Sequence, residues 1–299
     1  MKKNNIFETL KNDYYSNNSE FSVNTSSHWK KYGKYQKINN SRYGYNLRGI
    51  GFGGFSRNNL LQHIKNIPVK IYLSKLLKSC DKDLVDAIKK IAKNQKRVLC
   101  YDLARMALTL NQVTKKIENI DEKRFCIIGD GYGSLGTLIK SIYPKSKVTF
   151  VNLGKTLIFD FYYTNLCHPQ SKHVLIRKKN DKLSLDFNYV EAENFNNIFL
   201  EADIFFNINS MQEMDYQQIK TYMKNIRNQK KESWFYCCNR VSKTLPDGTL
   251  IEFSKYGWSK NDKILIDELC PWTEHFPINY PPFIKKFDGL IKHKLVKIN

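Results

Sequence analysis

The chain has 299 residues, 41% hydrophobic and 26% charged, enough for one large or two small domains with a buried core, which excludes a peptide or a disordered tail. Lys and Arg number 49 against 28 Asp and Glu, a net charge of +21, and residues 1–97 hold 20 of the basic side chains against 6 acidic ones. That surface suits a polyanionic partner, yet only 9 of the cations are Arg, the residue suited to bidentate phosphate and base contacts, so charge alone argues weakly for nucleic acid.

Residues 1–57 are polar and rich in Asn, Ser, Lys and Tyr, with Phe21, Trp29, Tyr32, Tyr35, Tyr43 and Tyr45 spaced through them and a glycine cluster at 49–54. They are too aromatic for a linker and read as an ordered but irregular arm that packs on something. Helical spacing follows at Leu60, Leu61, Ile64 and Ile67, then at Ile71, Leu73, Leu76 and Leu77 after a break near Pro68. Asp81 and Asp83 would cap a further helix through Leu84, Val85, Ile88 and Ile91, and another amphipathic run spans 98–117. Residues 1–97 are therefore expected to form a basic, mostly helical region, serving as lid, substrate platform or dimerisation element, and 98–299 the catalytic domain.

From Arg124 short apolar runs alternate with helical stretches. Strands are predicted at 125–128, 148–151, 173–176, 203–207 and 234–238, with helices over 134–143, 155–166 and 216–228. Such alternation implies a mainly parallel sheet covered on both faces. Residues 249–253 and 293–298 read as a late strand pair. Seven cysteines without a C-x-x-C pair read as reduced core residues, and no metal-ligand cluster is visible. The first residues lack a signal-peptide core and no apolar run is long enough for a membrane span, so a soluble cytoplasmic protein is expected.

The segment Ile128-Gly129-Asp130-Gly131-Tyr132-Gly133-Ser134-Leu135-Gly136 follows the first predicted strand of this series and opens a helix. Glycines there let the backbone turn sharply and approach a ligand, and the helix start offers free N–H groups. The spacing fits both a dinucleotide fingerprint at Gly131, Gly133 and Gly136 and the looser loop of S-adenosylmethionine enzymes at Gly129, Gly131 and Gly133. Either cofactor wants an acid at the end of the second strand to hold its ribose; here Asn152 and Leu153 stand at that place. Polar residues recur at the ends of two later strands, in Asn209-Ser210-Met211-Gln212-Glu213-Met214 and Cys238-Asn239-Arg240, the rim where open α/β sheets bind ligands.

These motifs, with Phe235-Tyr236-Cys237-Cys238-Asn239-Arg240, Asp267-Glu268-Leu269-Cys270-Pro271-Trp272 and the ending Asp288-Gly289-Leu290-Ile291-Lys292-His293-Lys294-Leu295-Val296, resemble the sugar O-methyltransferases found with bacterial surface-polysaccharide genes. The resemblance covers about 120–299 well and the first third loosely. It implies an α/β, Rossmann-like class I methyltransferase sheet, mainly parallel with the last strand antiparallel. It also implies methyl transfer from S-adenosylmethionine to a sugar hydroxyl in capsule or O-antigen biosynthesis, on a free, nucleotide-linked or lipid-linked acceptor. On that footing Gly129, Asp130, Gly131, Tyr132, Gly133, Asn152, Leu153, Asn209, Ser210 and Met211 are candidate cofactor residues. Gln212, Asn239, Arg240 and Trp272 are candidates for the acceptor, Arg240 for a phosphate. Such an enzyme must align the acceptor oxygen and remove its proton; Glu213 and His275 are the candidate bases. Some sugar methyltransferases use a divalent ion, which nothing in the sequence calls for. The competing readings are a nucleic-acid methyltransferase, against which stand the few Arg and the absence of a base-flipping motif, and a non-catalytic binding protein on the same fold.

Overall fold

The computed structural model describes residues 3–16, 25–41, 44–48, 67–184, 186–195, 198, 201–278 and 280–298. The glycine cluster at 49–54 and the helical spacing at Leu60, Leu61 and Ile64 lie outside them. Helices α1 (Lys3–Ser16) and α2 (Ser27–Tyr32) come first, then an antiparallel hairpin of β1 (Lys37–Ser41) and β2 (Gly44–Arg48). The expected irregular arm is thus partly regular. Its helix is hard to read because the apolar face of α1 consists of Ile6, Phe7 and Leu10 on an otherwise polar segment. Phe7 stacks near Tyr45 of the hairpin, 4.5 Å between ring centroids. The α3 helix (Ile67–Leu76) carries Pro68 in its first turn, where a missing N–H costs nothing. Asp81 precedes α4 (Lys82–Asn94) as expected, but its side chain makes no capping bond and pairs instead with Lys115. Next comes α5 (Tyr101–Thr114), buried at every position from Leu103 to Asn111.

The sheet region runs β3 (Arg124–Ile128), α6 (Ser134–Ile142), β4 (Lys147–Asn152), α7 (Gly154–Cys167), β5 (His173–Ile176), β6 (Phe187–Glu191), β7 (Ile204–Ile208), α8 (Tyr216–Arg227) and β8 (Ser233–Arg240). A ribbon of β9 (Ser242–Thr244) and β10 (Leu250–Glu252) follows, then β11 (Lys263–Leu269), a second ribbon of β12 (His275–Pro277) and β13 (Ile284–Lys286), and β14 (Ile291–Ile298). Eight strands form one sheet in the order β11-β14-β8-β7-β3-β4-β6-β5. From β8 to β5 all neighbours are parallel, and β14 is antiparallel to both β8 and β11. This is the Rossmann-like sheet expected from the sequence, mainly parallel with the last strand antiparallel.

Two strands of the eight-stranded sheet, β6 and β11, went unpredicted, as did the ribbon strands β1, β2, β9, β12 and β13, and one pairing is corrected. Segment 249–253 does not pair with 293–298: β10 pairs with β9, and β14 is held between β8 and β11. Strand β11 escapes a periodicity search because it is the sheet edge, exposed at most positions and without alternation. In β6 the inward Asn188, bonded to Ser184, interrupts the apolar run.

Alternate residues of each strand feed two cores. Phe125, Ile127, Phe150 and Phe206 pack with α5, α6 and α7 and with Ile6 and Leu10 of α1. Cys126, Ile128, Val151 and Phe205 face Ile219, Tyr222, Met223 and Ile226 of α8. The chain leaves β3 toward β4 on one side while β7 docks on the other, so the switch point lies at the carboxyl ends of β3 and β7, where such sheets open a crevice.

Candidate active site

At that switch point β3 runs into Gly129, Gly131 and Gly133, all with positive φ (77°, 85° and 60°). A side chain at Gly129 would place its Cβ 2.1 Å from Ser210 Oγ, and one at Gly133 would meet the Asp160 carbonyl oxygen at 2.7 Å. The loop is therefore glycine both for its backbone angles and for contact with neighbouring chain.

Two carboxylates hold it. Asp130 Oδ1 accepts the amides of Ser134 (2.8 Å) and Leu135 (3.2 Å), and its Oδ2 that of Gly136 (3.0 Å), so it caps the start of α6. Asp160 on α7 accepts the Gly133 amide and the Asn152 side-chain amide, each at 2.8 Å. Burial pushes the Asp130 carboxyl up to about 6 against the pull of its three amides. Asp160 is driven well above the usual carboxylate range by burial and by the neighbouring Asp130 charge.

The opposite rim is an amide network. Asn207, at the end of β7, donates to the Ile128 carbonyl (2.9 Å) and accepts from the Met211 amide and the Asn239 side chain, both at 2.9 Å. Asn239 Oδ1 accepts the Gln212 amide (3.1 Å), and Gln212 Oε1 the Arg240 amide (2.7 Å). Asn209 sits in the left-handed region at φ 57°, which Asn tolerates, and its Oδ1 is buried with no hydrogen-bond partner among the described residues.

A cavity of about 990 Å³ opens between these rims, lined by Gly129, Asp130, Gly131, Tyr132, Asn152, Asn209, Ser210, Gln212, Glu213 and Arg240 among the expected residues. A second, of about 380 Å³, adjoins it and shares Gly129, Asn152, Ser210 and Trp29, adding Leu153, Val151, Met214 and Tyr222. Gly133, Met211 and Asn239 line neither; each shapes the rim through the backbone or amide bonds above. Trp272 also stays outside, buried against His293, with its carbonyl accepting from Tyr101. His275 is half-exposed on β12 and its backbone carbonyl accepts from Tyr72, whereas its successor Phe276 lines the large cavity. Tyr132 contributes its ring, with its hydroxyl turned to the Leu47 carbonyl of the hairpin.

Glu213 is enclosed in a group that sequence reasoning missed. His28 Nε2, carried by α2, lies 3.3 Å from Glu213 Oε1, and Lys243 Nζ of β9 lies 3.1 Å from the same oxygen. Burial pushes the His28 imidazole down to about 4, with Lys243 adding to the effect; burial raises Glu213, and Lys243 opposes it. No sequence signal pointed to His28, which stands beside Trp29 in the polar first segment. Asp102 and Arg105, paired on α5, line the same cavity. Among the described residues no His, Cys, Asp and Glu group is arranged to hold a metal ion, and no helix is long and apolar enough to cross a membrane.

No protein-family profile and no curated protein matches the chain. Among solved structures it is similar to magnesium protoporphyrin IX methyltransferase from Synechocystis PCC 6803 with bound SAH, at 8% identity and TM-score 0.45 over 80% of this chain and 98% of that one. It is similar as well to an O-methyltransferase family 2 protein from Planctomyces limnophilus DSM 3776 in complex with apigenin, at 11% identity and TM-score 0.44 over 88% and 77%. A third is coclaurine N-methyltransferase bound to N-methylheliamine and SAH, at 10% identity and TM-score 0.44 over 79% and 94%.

Proposed function

We propose that the chain is an S-adenosylmethionine-dependent O-methyltransferase acting on a sugar hydroxyl. The observation that carries this reading is the Asp130 carboxylate seated on the first amides of α6. A dinucleotide enzyme leaves that helix start to the cofactor's pyrophosphate. Here a carboxylate fills it, and a diphosphate would enter against the buried Asp130 charge. A cofactor bearing a sulfonium and an ammonium group suits the same electrostatics.

The residues present fit that cofactor. The smaller cavity, with Val151, Leu153, Met214 and Tyr222 and polar groups on Gln218 and Thr221, has the size and mixed lining an adenosine needs. Asn152 stands at its mouth, oriented by Asp160 and by its own bond to the Leu153 amide (2.9 Å), and its Oδ1 keeps a lone pair for a ribose hydroxyl. Asn209, whose buried Oδ1 has no hydrogen-bond partner among the described residues, lines the larger cavity next to Ser210, which borders both. When bound, S-adenosylmethionine supplies a methyl group already activated on sulfur. The chain's task is then to align the acceptor, exclude water and receive a proton.

The larger cavity supports a sugar acceptor carrying an anionic linker, nucleotide or lipid phosphate. Its walls offer ring faces on Trp29, Tyr32, Phe276 and Phe287, and cations on Lys31 and Arg240. Calorimetry with S-adenosylmethionine, its demethylated product and NAD tests the cofactor; NAD binding without S-adenosylmethionine binding overturns the reading. Methyl incorporation from labelled cofactor into nucleotide sugars and extracted glycolipids tests the acceptor, and transfer to RNA alone overturns that part.

A further inference from the structure

The geometry points to His28 as the group that takes the acceptor's proton, with Glu213 as the residue that positions it and sets its tautomer. The inference rests on the methyl-transfer reading above and names the base within it.

Three observations carry it. First, α2 brings His28 onto the rim of the sheet, where the imidazole, Glu213 and Lys243 all line the large cavity beside Asn209 and Ser210. Second, Glu213 Oε1 receives two partners, His28 Nε2 at 3.3 Å and Lys243 Nζ at 3.1 Å. Protonating Glu213 would abandon its pair with the Lys243 ammonium, which holds the carboxylate in its charged form against the burial that raises it. Third, the Nε2 edge of the ring faces the Glu213 carboxylate at ion-pair distance and among the described residues no group hydrogen-bonds to the ring, so a proton placed on Nε2 toward that charge leaves the lone pair on Nδ1. The ring is held edge-on to Trp29 and tilted on Tyr32, with centroids 5.6 and 4.8 Å away. The charged groups beside it are Glu213 on the turn after β7 and Lys243 on β9, and Arg240 at the end of β8 acts in turn on Glu213. Burial keeps the imidazole neutral at pH 7.

The step balances. The acceptor oxygen bonds to the methyl carbon as the carbon–sulfur bond breaks, and the electron pair of that bond stays with sulfur. The hydroxyl proton passes to His28 Nδ1, and the resulting imidazolium lies against the Glu213 carboxylate. One positive charge is lost on sulfur and one is gained on the ring. The reactive site is therefore complete only with the N-terminal segment in place.

The test needs the full chain and its variants His28→Ala, His28→Gln and Glu213→Gln. Nitrogen-15 NMR of the His28 side chain at pH 7 requires no acceptor. The expected result is a neutral ring with the proton on Nε2, and a lower titration point in Glu213→Gln. A ring protonated at Nδ1, or unchanged by Glu213→Gln, overturns the proposal. With tritiated S-adenosylmethionine and a mixture of UDP-, GDP- and dTDP-hexoses, both His28 variants are expected to lose ~100- to 10,000-fold in transfer rate. Affinity for S-adenosylhomocysteine should stay within about twofold, and added imidazole should restore part of the rate in His28→Ala. Loss of S-adenosylhomocysteine binding in the His28 variants, or a larger rate loss in Glu213→Gln than in His28→Ala, overturns it. Failure of the unmodified chain to bind S-adenosylhomocysteine would instead strike the methyl-transfer reading itself.

Discussion

Asp130 Oδ2 accepts the Gly136 amide at 3.0 Å, closing a ring between the loop and the first turn of α6 with the carboxylate in the place of a bound anion. Replacing Asp130 by Ala removes three charge-assisted bonds worth about 1.5–3 kcal/mol each in other proteins. Much of that loss will be repaid by water, so S-adenosylhomocysteine affinity is expected to fall ~10- to 100-fold. The Asn variant, which keeps one acceptor oxygen, should fall between. Calorimetry on both variants decides, and unchanged affinity in Asp130→Ala would remove the loop's electrostatic role.

A pH dependence follows from the same carboxylate. Its folded value is raised to about 6 from an ordinary 3.8, so it is ionised above pH 7 and largely protonated at pH 5. The sulfonium form of the cofactor gains from the ionised acid, whereas the uncharged thioether gains little. The affinity ratio of S-adenosylmethionine to S-adenosylhomocysteine is expected to rise between pH 5 and 7. For the free protein the sign reverses: a raised acid contributes stability below pH 3.8 that is lost as pH rises through 6. His28 acts oppositely, since its depressed value contributes stability above pH 6.5 that is lost as pH falls toward 4. Melting curves of Asp130→Asn and His28→Gln across this window should tilt in opposite directions.

Gly129→Ala forces a Cβ to 2.1 Å from Ser210 Oγ and 2.5 Å from Ser210 Cβ, at φ +77°. The expected cost is about 1–3 kcal/mol of stability together with weaker cofactor binding, because Ser210 lines both cavities. Adding Ser210→Gly removes the overlap and leaves only the backbone strain. Denaturant curves should show partial recovery in the double variant, and a cost unaffected by Ser210→Gly would contradict the close approach.

Asn239→Ala leaves the Gln212 amide buried without its acceptor and Asn207 Oδ1 with one donor instead of two. The cost of such an orphaned group is about 1–3 kcal/mol, measurable by urea unfolding. A neutral result would mean that the rim holds without its amide chain.

The sheet was legible where burial on both faces makes strands continuously apolar, as in Phe125-Cys126-Ile127-Ile128, and where glycines cluster between a strand and a helix. Strands β6 and β11 were not, because one carries an inward Asn and the other faces solvent at the edge. The loop residues and the rim after β7 were found through their place at strand ends. The roles of Asp130, Asn152 and Asn239 were not, since a side chain's hydrogen-bond partner depends on what folds beside it. His28 reaches Glu213 across 185 positions of chain, a contact that no local spacing encodes. Trp272 and His275 illustrate the converse: residues of suitable chemistry near the site in sequence, one turned into the core and the other toward solvent.

Trp29 borders both cavities, so its indole forms part of the wall of each. Any ligand that prefers one setting of that ring alters the free energy of filling the neighbouring space, and reciprocity requires the second ligand to return the same factor to the first. Coupling between the two spaces then becomes a property of a single side chain, and the emission of that indole should report it: a spectral change on adding S-adenosylhomocysteine is expected to accompany an acceptor affinity that differs between the free and the cofactor-bound protein.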